Sequence, residues 1–235
     1  MFRYRLIRAA MQLVRALILA RITVVGRENI PDHGPYIVVL NHTSVADTPV
    51  LLMTFPLMRW RFFAVDKWRL HPIYGPIMKW LGAIYVRREE VDRGQLREAL
   101  AALEEGVVFG LAPEGRRSFD GKMMKAKDGA AYLASRAGVP IVPIGLVNGD
   151  VLFGNVGHLR RTEVQVHIGT SFTLPDLGRR SRARDLPAFT HLIMAHIAAQ
   201  LPQRYHGYYA DSPALAALLA GEDAWPHCQN EDVVL

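Results

Sequence analysis

Short apolar runs rich in β-branched residues alternate along this chain with stretches in which apolar residues recur every three to four positions. The first pattern predicts buried strands, and the second predicts helices that pack on them. Strands that alternate with helices indicate an α/β fold, with a mostly parallel or mixed sheet flanked by helices. The predicted strands cover 36–40, 61–65, 83–86, 107–111, 139–147 and 162–168, and the predicted helices cover 48–58, 73–80, 91–105, 129–137 and 185–200. Residues 22–35 are predicted to form a short strand and a turn that lead into the strand at 36–40.

The first 25 residues show a different pattern, which predicts an N-terminal amphipathic helix. Polar residues at 5, 8, 12 and 15 form one narrow stripe, three of them arginines, and apolar residues cover most of the remaining surface. Such a helix is typical of the headgroup region of an anionic membrane, whereas no apolar run reaches the ~20 residues of a membrane-spanning helix. The alternative is a helix packed on the protein body or on a second subunit. We divide the chain into a membrane-associating helix over 1–25 and an α/β domain over 26–235.

The strand predicted at 36–40 ends in a polar turn that contains a histidine and an aspartate. His42 and Asp47 are five residues apart, a spacing that does not share a helix face. We therefore expect His42 on the turn and Asp47 at the first turn of the next helix, where its carboxylate fixes the imidazole tautomer. This is the arrangement of a general base and its orienting group. In the alternative interpretation, Asp47 only caps the helix before Pro49, and His42 is a hydrogen-bonded turn residue.

Other predicted strands also end in charged residues. Lys67, the pair Arg87 and Arg88, and the run from Glu114 to Ser118 each follow an apolar strand. Ligands bind at the carboxyl ends of strands in α/β sheets, so one cleft is expected to gather these side chains with the histidine. Arginine suits bidentate binding of phosphate, and a glycine lets backbone approach a ligand. The alternative is that the strand ends are simply solvated.

Net charge and cysteine content limit the classes of partner and of binding site that this chain can have. The formal net charge is +6, which favours anionic partners such as phospholipid surfaces, nucleotides or nucleic acid. Cys228 is the only cysteine, which excludes an intrachain disulfide framework and a cysteine-based metal cluster. The sequence shows no recognisable nucleic-acid-binding module, and no small-residue cleavage pattern of a secretory signal follows the apolar N-terminus.

Four blocks of the chain then occur in an order that is specific as a set. They read NHTSVAD at 41–47, GAIYVRR at 82–88, APEGRRS at 112–118 and VPIVP at 139–143, and KDG at 127–129 lies between the last two. Together they resemble the motifs of the glycerophospholipid acyltransferases, the family typified by 1-acyl-glycerol-3-phosphate (lysophosphatidate) acyltransferase. Ala112 stands where the family has an aromatic residue, Arg116 where it has Thr, and Arg87 often where it has an acidic residue. The histidine and aspartate of the first block are unchanged.

The resemblance implies an O-acyltransferase that moves an acyl chain from acyl-CoA or acyl carrier protein to the glycerol hydroxyl of a lysophospholipid. The expected acceptor is 1-acyl-glycerol-3-phosphate, which would give phosphatidic acid. His42 would be the general base and Asp47 its orienting carboxylate. The resemblance also implies a set of substrate-binding residues around the acceptor phosphate and glycerol: Lys67, Arg88, Glu114, Gly115, Arg116, Arg117 and Lys127.

The same reasoning gives expectations for partners and location. No metal and no cofactor are expected, since the acyl thioester is a substrate. The expected partners are the lysophospholipid, the acyl donor and an anionic membrane surface, with no nucleic acid. The enzyme is then expected to be peripheral or monotopic on the cytoplasmic face of a membrane.

Two further classes of function stay open on the sequence alone. One is a lipid-acting hydrolase or thioesterase, in which the histidine and aspartate activate water. The other is a non-catalytic protein of the membrane surface, or one that binds nucleic acid, whose arginine clusters only bind phosphates.

Overall fold

A seven-stranded mixed sheet forms the centre of the structure, a computed structural model that describes residues 5, 6, 9, 12, 13, 20–72, 74–87, 92–158, 160–178 and 181–229. The strand order is β1-β7-β6-β2-β5-β3-β4. Strands β2 to β6 run parallel, whereas β7 pairs antiparallel with β6 and parallel with β1. The strands are β1 (Ala20–Val25), β2 (Ile37–Leu40), β3 (Trp60–Val65), β4 (Ala83–Val86), β5 (Val108–Leu111), β6 (Ile141–Val147) and β7 (Thr162–Ile168).

Helices cover both faces of this sheet, which confirms the predicted α/β fold. A parallel sheet needs such crossover helices, because consecutive parallel strands start at the same edge. The described helices are α1 (Asp47–Thr54), α2 (Tyr74–Leu81), α3 (Arg93–Glu104), α4 (Gly129–Ala137), α5 (Leu152–Gly157), α6 (Leu186–Ala198) and α7 (Pro213–Ala220).

Strand β2 lies between β5 and β6 and is buried on both faces, which explains its unbroken apolar sequence. Ile37 and Val39 belong to one core cluster, which α3, α4, α6 and α7 complete. Val38 and Leu40 belong to the other, which includes residues of α1. The alternation of side chains along the strand thus supplies both cores, and it fixes where the chain leaves the sheet after Leu40.

Helix α1 is shorter than the predicted helix at 48–58. It ends at Thr54, and Phe55 adopts an extended conformation. The reason is in the sequence: Phe55 precedes Pro56, and the proline ring disfavours helical geometry in the residue before it.

The helix predicted over 1–25 overlaps the short strand predicted from residue 22, and the structure confirms the strand and not the end of the helix. Residues Ala20–Val25 form β1 and pair in register with β7, because the β-branched segment ITVV favours a strand. Only five residues before Ala20 are described, namely 5, 6, 9, 12 and 13. They are helical, and the rest of the predicted membrane-associating segment lies outside the described residues. None of the described helices is both long enough and apolar enough to cross a membrane.

Candidate active site

The turn between β2 and α1 brings the predicted histidine and aspartate into contact. His42 lies on the turn, and Asp47 is the first residue of α1. His42 Nδ1 lies 2.8 Å from Asp47 Oδ2. The aspartate side chain is 3% exposed and the imidazole is 30% exposed. The proximity inferred from the spacing of five is therefore confirmed, with one member before the helix and the other opening it.

The backbone of the same turn holds the Asp47 carboxylate. Oδ2 accepts hydrogen bonds from the backbone N–H groups of Thr43 and Ser44, each at 2.9 Å. Together with the imidazole, these donors offset the cost of burying a negative charge. The alternative in which Asp47 caps α1 is wrong, because the N-cap residue is Ala46 and the carboxylate bonds to the preceding turn.

This contact also decides which nitrogen of His42 is basic. An ionised carboxylate only accepts hydrogen bonds, so Nδ1 carries the hydrogen and donates it to Asp47. The lone pair is then on Nε2. A neutral imidazole with one nitrogen held by a buried carboxylate and the other available is the arrangement of a general base.

Glu114 connects the histidine turn to the loop that follows β5. Its Oε1 accepts the backbone N–H of His42 at 3.1 Å, and its Oε2 accepts the backbone N–H of Met124 at 2.9 Å. The side chain is 2% exposed. Both oxygens thus bond to the protein backbone, which gives Glu114 a positioning role beside the histidine. Its predicted contact with substrate stays a prediction.

Burial raises the pKa of Glu114 to about 7, well above its usual value. The hydrogen bonds from Met124 and His42 and the positive charge of a protonated His42 act in the opposite direction, and the charge of Asp47 adds to the increase. The loss of hydration is the largest effect. A carboxyl with a pKa this high is a structural member of the site whose charge depends on pH.

A buried amide fixes the start of the turn. Asn41 Oδ1 accepts the backbone N–H of Leu146 at 2.8 Å, and Asn41 Nδ2 donates to the carbonyl of Leu146 at 3.0 Å. Asn41 therefore satisfies backbone groups of β6, as a neighbouring strand would. The following residue, His42, is anchored a second time, because its carbonyl accepts the N–H of Ser118 at 2.8 Å.

A cavity of about 760 Å³ lies beside the pair, and His42 and Asp47 both line it. This volume is within the range of sites that hold small organic ligands. Most of the other lining residues are apolar, and they come from α1, β3 and β4 among other elements. Examples are Leu51, Leu52, Trp60, Phe62, Phe63 and Val86. The cavity therefore offers an apolar ligand a place next to the candidate base.

Three residues of the strand-end loops also line this cavity. Arg87 and Lys127 are cationic, and the third is Gly115. Gly115 has a φ of 71°, which a residue with a side chain rarely adopts, so the turn depends on glycine. The N–H of Lys127 donates to the carbonyl of Pro113 at 2.9 Å, which holds the lysine beside that turn. Two of the predicted binding residues, Gly115 and Lys127, are thus brought to the cavity.

The other predicted basic residues lie at the same edge of the sheet without lining the cavity. Lys67 is exposed, and its Nζ lies 4.9 Å from the centre of the Trp68 ring. Arg116 is exposed and Arg117 is half-buried. Arg88 lies outside the described residues, so its predicted role has no structural counterpart here. The binding roles of these residues stay predictions.

Three contributions to the site were not predicted from the sequence: the amide of Asn41, the position of Glu114 between two backbone N–H groups, and the close approach of Gly149. A Cβ at Gly149 would lie 2.8 Å from Thr43 Oγ1 and 3.2 Å from Asp47 Oδ1. The signal for Gly149 is present in the sequence as Asn148-Gly149 directly after a buried strand. What that turn packs against is decided only by the fold.

An α/β sheet with a histidine–carboxylate pair at its strand ends, next to an apolar cavity, defines a class of enzyme that deprotonates a hydroxyl group or water beside an apolar ligand. Residues 21–147, more than half of the chain, match the sequence model of the family described as Acyltransferase. The chain belongs to this acyltransferase family, and the resemblance drawn from the four motifs is confirmed.

Similar proteins carry one recurrent name. The chain is 33% identical over 182 residues to a 1-acyl-sn-glycerol-3-phosphate acyltransferase of Chlamydomonas reinhardtii, covering 71% of this chain and 53% of the relative. It is 29% identical over 137 residues to the protein of that name from Borreliella burgdorferi, covering 57% and 54%. The chain thus spans about half the length of these curated relatives.

A solved structure shares the fold. The crystal structure of the 1-acyl-sn-glycerophosphate acyltransferase PlsC from Thermotoga maritima superposes with a TM-score of 0.64 at 25% sequence identity. The superposition covers 83% of this chain and 78% of that one. The similarity therefore extends beyond the four motifs to most of the sheet and its helices.

Proposed function

We propose that this chain transfers an acyl chain from an acyl thioester to the free glycerol hydroxyl of a lysophospholipid, with 1-acyl-glycerol-3-phosphate as the acceptor. The acyl donor is acyl-CoA or acyl carrier protein. One observation carries the proposal: His42 is held by a buried aspartate at the wall of an apolar cavity. The names of the relatives support the choice of acceptor.

The chemistry needs only the residues of this site and the two substrates. His42 Nε2 takes the proton of the glycerol hydroxyl while the hydroxyl oxygen bonds to the thioester carbonyl carbon. The carbon–sulfur bond then breaks, and the leaving thiolate takes the proton back from the imidazolium. Asp47 stabilises the imidazolium in between, as its short contact with Nδ1 allows. No acyl-enzyme and no cofactor enter this balance.

The acceptor phosphate is proposed to bind among the cations of the strand-end loops. Lys127 lines the cavity, and Arg116, Arg117 and Lys67 follow the ends of the neighbouring strands β5 and β3. Arg88 completes the proposed set from the sequence. Phosphate suits these partners, because a guanidinium binds two of its oxygens at once and a lysine adds charge.

The proposed location follows from the substrates. A lysophospholipid is held in a bilayer, while the acyl donor is soluble, so the enzyme meets both from the membrane surface. We place it as a peripheral or monotopic protein on the cytoplasmic face, where anionic lipids attract its net charge of +6.

Acceptor-dependent release of thiol tests this function. Purified protein is given palmitoyl-CoA with and without 1-acyl-glycerol-3-phosphate. Free thiol is measured with a colorimetric thiol reagent, and lipid products are identified by mass spectrometry. The proposal expects thiol release only with the acceptor, in step with formation of phosphatidic acid. Equal release without the acceptor would identify a thioesterase, and a panel of other lysolipids in place of the first would correct the acceptor.

A further inference from the structure

Four neighbouring strands end in loops that each present an exposed large apolar side chain. In the sheet order β6-β2-β5-β3, these are Val151, Val45, Phe119 and Leu70. Phe119 is 91% exposed and Leu70 is 90% exposed, the highest values among the large apolar residues of the described chain. The four strands are parallel, so all four loops leave the same edge of the sheet, where His42 lies.

Three of these four loops contact one another beside the candidate base. Ser118, the residue before Phe119, donates its N–H to the carbonyl of His42. A Cβ at Gly149 would touch the His42–Asp47 turn, and a Cβ at Gly121 would lie 3.2 Å from Asp150 Oδ2. The loops after β2, β5 and β6 are therefore packed against one another. We call Val45, Leu70, Phe119 and Val151 the apolar rim.

Cations stand beside two members of the apolar rim, Phe119 and Leu70. The loop over 112–127 contains five of them, and its acidic residues are the buried Glu114 and the exposed Asp120. Lys67 and Arg69 stand on the N-terminal side of Leu70, with Asp66 the acidic residue of that loop. Asp150 precedes Val151. The excess of positive charge is largest beside Phe119, where the cations are Arg116, Arg117, Lys122, Lys125 and Lys127.

Exposed apolar tips among basic residues match one kind of surface best. Water penalises a fully exposed phenylalanine or leucine, and a bilayer removes that penalty by accepting the side chain between its headgroups. Anionic headgroups attract the cations beside Phe119 and Leu70. An acidic protein partner would also use the cations, but its surface would not need separate apolar tips on four loops.

We propose that the apolar rim docks on an anionic bilayer, with Phe119 and Leu70 inserted among the headgroups. The cavity beside His42 then faces the membrane, and an acceptor lipid enters it without crossing water. The surface consists only of described residues outside the N-terminal segment. This inference rests on the proposed function for its benefit to catalysis, although the docking itself does not require turnover.

Site-specific fluorescence tests the docking. Cys228 is fully buried, so a cysteine introduced by Phe119→Cys in the full chain reacts selectively with a nitrobenzoxadiazole label. With vesicles that contain phosphatidylglycerol, we expect the emission of the label to rise about threefold and to be quenched by lipids with a doxyl group in the upper acyl chain. Leu219→Cys, on the exposed side of α7, is the matched control and is expected to show neither change.

Two results would overturn the docking proposal. The first is an unchanged emission at position 119 with vesicles, including the case in which acyl carrier protein alone changes it. The second is an equal change at position 219. Since the label reports only its own surroundings, attachment of the chain through its N-terminal segment does not produce a false positive.

A kinetic comparison separates failure of the docking from failure of the proposed function. For the double variant Leu70→Ser/Phe119→Ser, we expect turnover of a vesicle-borne long-chain acceptor to fall about tenfold, because the enzyme leaves the surface more often. Turnover of a monomeric short-chain acceptor in solution stays unchanged. An equal loss on both acceptors contradicts docking, whereas no transfer to either acceptor by the unmodified protein contradicts the proposed function and leaves the fluorescence result standing.

Discussion

At the scale of single residues, the site depends on two carboxylates, Asp47 and Glu114, that accept hydrogen bonds from the protein itself. Asp47 orients the imidazole and is itself held by the turn. Glu114 accepts the backbone N–H of His42. Two acidic side chains thus have separate tasks, one towards the ring of the base and one towards its backbone.

The raised pKa of Glu114 predicts a pH dependence of stability. The carboxyl keeps its proton up to a pKa of about 7 when folded, whereas an ordinary carboxyl titrates near 4.5. Between these values the folded chain binds more protons than the unfolded chain, so this residue makes stability fall as pH rises from about 4.5 to 7. Glu114→Gln cannot titrate. Denaturant unfolding at pH 4.5 and 7.5 is expected to show that the free-energy difference between the two proteins changes by about 3 kcal/mol.

The prediction also fixes the direction in which the free-energy difference changes with pH. At pH 7.5 the unmodified protein bears the cost of the buried charge. The free energy of unfolding of the variant, relative to that of the unmodified protein, is therefore highest at pH 7.5 and lowest at pH 4.5. A free-energy difference that does not vary with pH would mean that Glu114 titrates normally in the folded protein.

At the scale of elements, the loop after β6 supports the catalytic turn from the side. Gly149 approaches Thr43 and Asp47 so closely that a methyl group there would displace one of them. Gly154, a few residues later in α5, has no atom within 4 Å of the place of its Cβ. These two glycines of one segment therefore provide a matched pair.

Gly149→Ala is expected to lower kcat about tenfold, because a shift of the turn of 1 Å or less misplaces the imidazole. Gly154→Ala is expected to leave kcat unchanged and to raise stability by about 0.5–1 kcal/mol, since alanine loses less backbone entropy in a helix. Steady-state kinetics and thermal unfolding of both variants check this. Equal kinetics in the two variants would show that the close approach of the loop is not needed.

Much of this architecture was predictable, because it rests on local signals. The order of strands and helices follows from apolar periodicity, and the contact between His42 and Asp47 follows from a spacing of five across a strand end. The premature end of α1 has its cause in Phe55-Pro56, a local signal that the prediction at 48–58 did not use. The β-branched side chains at 22–25 indicate the strand that forms there, whereas the arginine stripe extends the predicted helix too far, to residue 25.

The contacts that cross the sheet were not predictable in the same way. Asn41 forms hydrogen bonds with Leu146, which is 105 positions away, and the local sequence around neither residue indicates this pairing. The resemblance to the family motifs assigns Glu114 to substrate. Its burial depends on how the loop over 112–127 folds back over the turn, which no local pattern records.

At the scale of the whole molecule, a second titrating group opposes Glu114. His196 in α6 stacks on Phe172 with ring centres 3.7 Å apart, and burial lowers its pKa to about 4. Between pH 4 and the ordinary value of 6.5, the unfolded chain binds more protons than the folded one, so His196 makes stability rise with pH. The contributions of Glu114 and His196 to the pH dependence of stability therefore partly cancel between about pH 4.5 and 6.5.

Replacing the histidine exposes this cancellation. His196→Phe keeps an aromatic ring against Phe172 but cannot titrate. As the pH is lowered from 7.5 to 5, the free energy of unfolding of the variant is expected to rise by on the order of 2 kcal/mol relative to that of the unmodified protein. Melting temperatures across this range give the measurement. A difference between the two proteins that stays constant with pH would show that His196 has no lowered pKa in the folded state.

The same scale connects the site to the membrane. The carboxyl edge of the sheet carries the base, the cavity, the cations and the apolar rim together, whereas α6 and α7 complete a core on one face of the sheet. A protein organised in this way has one functional edge. The acceptor lipid, the acyl donor and the bilayer are all proposed to meet there.

The most direct test of the account is the acceptor-dependent rate of His42→Ala. With palmitoyl-CoA and 1-acyl-glycerol-3-phosphate, loss of the general base is expected to lower kcat by about 10²–10⁴-fold. The exposed His33 provides the control, and His33→Ala is expected to keep the full rate with the same melting temperature as His42→Ala. A folded His42→Ala protein that still makes phosphatidic acid at the unmodified rate would contradict the claim that this histidine, held by Asp47, deprotonates the acceptor.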